Sequence, residues 1–233
     1  MKKAIGILGG MGPMATCDLM KKIIDNTEAA SDQEHIRICV DSNTNIPDRT
    51  AAILGKGDDP RPEMIKSAER LQAMGADVII VSCNTAHYFL GDVEKHVNIP
   101  ILHMPRETAK VLHEQGVQVA AVLATNGTIQ TGLYDQELKN VGITPVYPDA
   151  EEQNMIMSVI YDYVKAGKPY PYPEKIMDMQ KRFAQLGVES MILGCTELPI
   201  AFGQWDTIIA TIDPTDVLAR AAILYTNHKL KNS

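Results

Sequence analysis

Apolar positions along the chain follow two alternating patterns. Short continuous apolar runs bounded by turn residues predict buried strands at 4–8, 36–40, 78–82, 119–123, 144–146, 191–193 and 207–210. Between them, apolar residues recur at three- and four-residue spacing, which predicts amphipathic helices over 15–26, 62–74, 106–115, 131–141, 151–166, 173–186 and 215–229. Strands that alternate with helices in this way predict an α/β fold, its parallel strands covered by helices on both faces.

The pattern also repeats. LQAMGADVIIVSCNT, ending at Thr85, aligns without a gap on FAQLGVESMILGCTE, ending at Glu197, 112 residues later. Helix end, glycine turn, apolar strand and cysteine coincide. Earlier in each half a strand runs into a Gly/Thr-rich turn and a helix, AIGILGGMGPMAT in the first and VAAVLATNGTIQT in the second. The expected organisation is two similar Rossmann-like lobes related by a pseudo-twofold axis, with the active site in the interlobe cleft. One lobe spans 1–103 and carries Cys83; the other spans 104–210 and carries Cys195. The last helix, about 211–233, is expected to pack back on the first lobe. In open α/β sheets ligands bind beyond the carboxyl ends of the strands, and both cysteines fall at such ends.

Composition narrows the function. The 233 residues carry a net charge of -7, which disfavours broad contact with nucleic acid or anionic membranes. Basic residues near the start are followed by only a short apolar run before Gly9 and Gly10, so no export signal is expected. No apolar stretch approaches the roughly 18 residues of a membrane span. The expected compartment is the cytoplasm. Four cysteines, at 17, 39, 83 and 195, are too few for a disulfide scaffold and lack CxxC spacing. Cys17 and Cys39 fall within a helical and a strand pattern and read as structural. The histidines form no metal-ligand spacing.

Two thiols at equivalent places of a duplicated chain suit one chemistry. Inverting a tetrahedral carbon requires removing a weakly acidic proton from one face and returning a proton to the other. A thiolate and a thiol on opposite faces do this, exchanging states at each turnover. Polar residues follow each thiol, Asn84 and Thr85 in the first half and Thr196 and Glu197 in the second, and supply local hydrogen bonds. His87, four residues after Cys83, has the spacing of a base partner but falls in the first helical turn, where capping or packing is the expected role.

Several linked motifs resemble the aspartate/glutamate racemase family, most closely its aspartate racemase branch. They are Gly9-Gly10-Met11-Gly12-Pro13 with Ala15-Thr16, Asp32-Gln33-Glu34-His35, Ile46-Pro47-Asp48-Arg49-Thr50, Cys83-Asn84-Thr85-Ala86-His87, and Gly194-Cys195-Thr196-Glu197-Leu198. The resemblance covers nearly the whole chain. It implies a homodimeric amino-acid racemase with no metal, no pyridoxal phosphate and no other cofactor, in which Cys83 and Cys195 are the proton donor/acceptor pair and Cys195 works on the L face. It further implies that Asn84, Thr85 and Thr196 hold the substrate's α-carboxylate and ammonium, with Ala86 also substrate-binding, while Asp48 and Glu197 polarise the thiols or pair with the ammonium. Met11, Asn43, Gly127 and Thr128 would line the cleft, and Arg49 and Lys165 would bind a side-chain carboxylate. The segment Asp41-Ser42-Asn43-Thr44-Asn45 departs from the polar set that related sequences often carry there, which bears on substrate choice more than on chemistry.

Three other readings compete. Gly10-Met11-Gly12-Pro13-Met14-Ala15 loosely fits a dinucleotide-binding turn, but Pro13 interrupts it and Asp41 lies too far along. A non-catalytic amino-acid-binding module has no use for two equivalent thiols. Racemases of glutamate or other amino acids, hydantoin racemases and maleate isomerase-like enzymes share paired cysteines, and one methylene between aspartate and glutamate is worth only about 1 to 3 kcal/mol.

Overall fold

In a computed structural model describing residues 2–231, the chain divides into two compact units, one up to Glu107 and again from Thr215, the other Thr108–Pro214. Residues 1, 232 and 233, the outer ends of the expected first lobe and last helix, lie outside the described residues.

The first unit is built on β1 (Ile5–Gly9), β2 (Ile38–Ser42) and β3 (Val78–Val81), with α1 (Pro13–Asn26), α2 (Arg49–Ile53), α3 (Arg61–Ala73), α4 (Leu90–Val93) and the start of α5 (Met104–Glu114). The strands are parallel in the order β2-β1-β3. Strand residues alternate between two apolar clusters, as the period of two requires. Ile5, Ile7, Val78 and Ile80 meet Leu19 and Ile23 of α1 on one face. Leu8, Ile79 and Val81 meet Met64, Ala68 and Leu71 of α3 on the other. Because both faces are covered, β1 and β3 are apolar throughout, the property that made them legible as strands.

The second unit repeats this connectivity. It comprises β4 (Val119–Ala124), α6 (Asn126–Gln130), α7 (Leu133–Asn140), β5 (Thr144–Val146), α8 (Ala150–Ser158), α9 (Pro173–Gln185), β6 (Ser190–Gly194), α10 (Leu198–Phe202) and β7 (Ala210–Ile212). Its parallel sheet has the order β5-β4-β6-β7, so β5-β4-β6 matches β2-β1-β3. In the first unit the place of β7 is taken by a single parallel bridge from Ile101 to Ile79. The expected α/β class with two parallel sheets is what the structure contains. α11 (Pro214–Tyr225) then packs Leu218, Ala219, Ala222 and Ile223 into the cluster with α1, β1 and β3. No helix among the described residues is long and apolar enough to cross a membrane.

Three segments differ from expectation. The last helix stops at Tyr225 rather than continuing to 229, because Asn227 adopts a left-handed φ of 61° and the His228 amide closes back on the Ile223 carbonyl at 3.2 Å. The helix expected over 151–166 is α-helical only to Ser158 and continues as a π-helical turn, Val159–Val164, closed by the Lys165 amide on Ile160 at 3.0 Å. The last strand begins at Ala210, not 207, since the Ile208 amide is taken by the Gln180 side chain at 2.9 Å. Cys17, read as structural, lies exposed on the outer side of α1 and contributes nothing to the core, whereas Cys39 is buried in β2.

Candidate active site

The glycine-rich turn after β1 organises the first half of the site. A Cβ on Gly9 would stand 2.4 Å from the Thr16 side chain, and one on Gly10 would stand 2.4 Å from the Asn43 carbonyl group while φ is +89°. Only glycine permits either approach. The space admits Thr16, whose hydroxyl accepts from the Gly10 amide at 2.9 Å and lies 3.1 Å from the Ser82 hydroxyl. Through Thr16 the turn is tied to the residue that precedes Cys83. That thiol sits just beyond β3, more than nine-tenths buried, in the cluster with Met11, Ala86 and Phe89. Asn84 and Thr85 are also buried.

Arg49 joins the same loops. Its Nη1 donates to the Ile46 and Pro47 carbonyls at 3.3 and 2.9 Å, and its Nη2 donates to the Met11 carbonyl at 3.2 Å. Its Nε is buried and has no hydrogen-bond partner. The guanidinium therefore braces three backbone carbonyls and leaves one buried donor, Nε, without a partner.

Asp48 and Asn43, both expected at the ligand, make hydrogen bonds within the first unit. The Asp48 carboxylate accepts from the Ala51 amide at 2.7 Å as the N-cap of α2 and is exposed, so its position reflects helix capping rather than contact with a thiol. The Asn43 amide group donates to Glu63 and Ser67 at 3.2 and 3.1 Å and accepts from the Asn45 amide at 3.1 Å, anchoring its loop to α3.

His87 is buried in the short 3-10 turn after Cys83, and its Nδ1 lies 2.9 Å from the Cys83 carbonyl and 3.1 Å from the Asn84 carbonyl. Burial, aided by the nearby His103, pushes its pKa down to about 3. The ring is neutral at ordinary pH and contacts main chain, not the thiol.

In the second unit Cys195 follows β6 directly and is equally buried. Its thiol donates to Glu197 Oε2 at 2.9 Å, and the Thr196 hydroxyl donates to the same oxygen at 2.9 Å. The Lys165 ammonium lies 3.8 Å from Glu197 Oε1 and 4.4 Å from the centre of the Tyr161 ring. Burial and the adjacent Glu197 carboxylate push the Cys195 thiol well above its usual range, with Lys165 opposing them. Cys195 is thus held as a thiol. Lys165, expected to meet a substrate carboxylate, stands beside Glu197.

Gly127 and Thr128 are buried in the first turn of α6, beyond β4, where Thr125 caps the helix by accepting from the Thr128 amide at 3.3 Å. Tyr134 is fully buried, bonded to Thr108, and its ring sits where a Cβ on Gly194 would be only 3.3 Å away. Tyr134, Tyr161 and Ser82 escaped the sequence reading because apolar periodicity does not show which polar group a residue in a strand or helix pattern meets. Thr16 was visible only as part of its motif. No group of three or more His, Cys, Asp or Glu suited to a metal ion occurs among the described residues.

Comparison with known proteins agrees with this architecture. The family model described as Asp/Glu/Hydantoin racemase matches residues 8–222. A broad specificity amino-acid racemase of Bacillus subtilis is 27% identical over 227 residues, covering 94% of this chain and 96% of that protein. The structure of Picrophilus torridus aspartate racemase superposes with a TM-score of 0.80 at 30% identity, covering 98% of this chain and 96% of the other. An aspartate racemase homologue from Pyrococcus horikoshii gives a TM-score of 0.79 at 27% identity, covering 97% and 100%. This chain belongs to the Asp/Glu/hydantoin racemase family and is an amino-acid racemase.

Proposed function

We propose that the enzyme interconverts L- and D-aspartate by a two-base mechanism in which Cys83 and Cys195 serve opposite faces of the α-carbon. The observation that carries the mechanism is the Cys195 thiol donating at 2.9 Å to Glu197, with a second buried thiol at the repeat-equivalent strand end. In one direction a Cys83 thiolate takes the α-proton while the Cys195 thiol gives its own proton to the other face. In the reverse direction the roles exchange. Cys195 is assigned the L face, so the state with Cys195 protonated is the one poised to form L-aspartate.

Glu197 gives this half of the site a control. Its charge holds the proton on Cys195 while the site is empty. A substrate ammonium drawn to the carboxylate offsets that charge and eases loss of the thiol proton when Cys195 must act as base. Asn84, Thr85, Ala86 and Thr196 are assigned to the α-carboxylate and ammonium, with Met11, Gly127 and Thr128 lining the site. Both proton-transfer groups are side chains of the chain itself, so the reaction calls for no metal or pyridoxal phosphate. A homodimer in the cytoplasm is the proposed working form.

Aspartate is assigned on the buried Nε of Arg49, a donor suited to a side-chain carboxylate. A broader amino-acid specificity is the second reading, favoured by the engagement of Lys165 with Glu197, which leaves Arg49 as the main side-chain anchor.

The test is incubation of reduced enzyme with L-aspartate in deuterium oxide without added cofactor, followed by chiral chromatography and proton NMR. D-aspartate carrying α-deuterium is the expected product. Cys83→Ser and Cys195→Ser are expected to remain folded and lose racemisation, and wild-type turnover by either would refute the two-base mechanism. A rate with alanine or serine equal to that with aspartate would instead select the broader specificity.

A further inference from the structure

Just past the last ladder position of β3, at Val81, the backbone turns away from the sheet, so the Cys83 carbonyl must find a donor outside the ladder. Residue 87, four positions on, lies where a tight helical turn brings its side chain back over that carbonyl. Its ring nitrogen lies 2.9 Å from the Cys83 carbonyl and 3.1 Å from the Asn84 carbonyl, while its own amide donates to Asn84 at 3.1 Å. Carbonyl oxygens only accept, so the two carbonyls at Nδ1 favour a proton there, while the Leu102 main chain adds a third bond to the ring. The ring is itself only 2% exposed and is held edge-on by His103, with centroids 5.1 Å apart.

We propose that His87 is a positioning residue for the Cys83 thiol: locked as the neutral Nδ1–H tautomer, it clamps the Cys83 and Asn84 carbonyls and so fixes the turn from which the thiol projects. The device suits a thiol that must alternate between base and acid. A general base beside Cys83 would trap the proton that has to be returned, whereas a neutral ring bonded to main chain holds geometry without competing for it. Since displacement of a reacting group by about 1 Å can cost on the order of 100-fold in rate, a clamp on the turn matters to turnover even though its ring never meets the substrate.

The proposal rests on Cys83 acting as an acid–base thiol, and the variants separate the two. His87→Asn keeps a donor near the Nδ1 position; His87→Phe keeps a ring without the donor. For racemisation and α-proton exchange, the Phe variant is expected to lose about 10- to 100-fold in kcat with KM changed by less than about twofold. The Asn variant is expected to recover most of the loss, and all three proteins should share the shape of the pH–rate profile. If the Phe variant turns over normally while Cys83→Ser is inactive, the clamp is wrong and the thiol reading stands. If Cys83→Ser is fully active, the thiol reading itself fails. A limb of the pH profile that disappears in the His87 variants would mean that His87 acts as a base and would overturn the proposal. Should the variants fold poorly, long-range proton–nitrogen NMR of the wild-type imidazoles decides: an Nδ1–H ring unchanged from pH 5 to 9 supports the clamp, and an Nε2–H ring or an imidazolium at pH 7 overturns it.

Discussion

At the residue scale the chemistry is set by which charges stand beside which buried groups. Cys195 has a carboxylate at 2.9 Å and, beyond it, an ammonium 3.8 Å from that carboxylate. Removing the carboxylate relieves the repulsion that disfavours a thiolate; removing the ammonium strengthens it. Glu197→Gln is therefore expected to speed alkylation of Cys195 by iodoacetamide at pH 7 several-fold, and Lys165→Met to slow it, read by mass spectrometry at that cysteine. Equal rates in both variants would show that the charge pair does not govern the thiol. His87 carries a second electrostatic consequence. Its folded pKa lies at about 3, against about 6.5 in an unfolded chain. Its contribution to stability is complete above pH 6.5 and is lost as pH falls toward 3, because the unfolded chain takes up a proton that the folded one refuses. Between pH 7 and 5 this one group removes about 2 kcal/mol. Urea unfolding of His87→Asn should lack that part of the pH dependence, and identical slopes in the two proteins would contradict it.

At the scale of elements, strand ends and the turns beyond them matter more than strands and helices. β1 to α1 and β3 to the His87 turn are joined by Thr16, which touches both Gly10 and Ser82. Gly10→Ala must strain a φ of +89° and push a Cβ within 2.4 Å of the Asn43 main chain, for an expected loss of about 3 kcal/mol or more. Gly91→Ala offers the contrast. It lies within α4, where a new Cβ meets nothing within 4 Å, and should stabilise the protein by about 0.5 to 1 kcal/mol. Denaturant midpoints of the two variants should shift in opposite directions, and a neutral Gly10→Ala would show that the loop can give way. The π-helical turn Val159–Val164 is the other element-level feature of consequence: it immediately precedes Lys165 and contains Tyr161, the ring under the Lys165 ammonium. A regular helix would advance Lys165 by a different angle.

At the scale of the whole molecule, duplication supplies two thiols in equivalent settings, and the proposed chemistry requires both to reach one carbon. A short bifunctional thiol reagent such as dibromobimane is therefore expected to bridge Cys83 and Cys195 in the native enzyme and to be blocked by bound aspartate. Modification of each thiol singly, with no bridged peptide, would count against two bases at one substrate. The two halves share the order of three strands but not the electrostatics around their cysteines. In the first a neutral ring bonds the main chain of its cysteine, and in the second a carboxylate bonds the thiol itself, with an ammonium beyond it. Such asymmetry is what the proposed two-base mechanism calls for, since it needs one thiol and one thiolate at a time.

The sequence by itself determined the α/β class, most strand positions, the internal repeat and the pair of cysteines, because strands buried on both faces are apolar at every position and a duplicated segment aligns without gaps. It also carried the family resemblance in its turn motifs. Tertiary structure alone decided that Lys165 is held by Glu197, that Asp48 spends its carboxylate on a helix cap, that Arg49 braces three carbonyls, and that His87 binds main chain rather than sulfur. Each of these depends on which groups burial brings within hydrogen-bonding distance. Residue type and spacing limit the partners a polar side chain can take, but the choice among them is made only when the surrounding chain excludes water and leaves one acceptor or donor in reach.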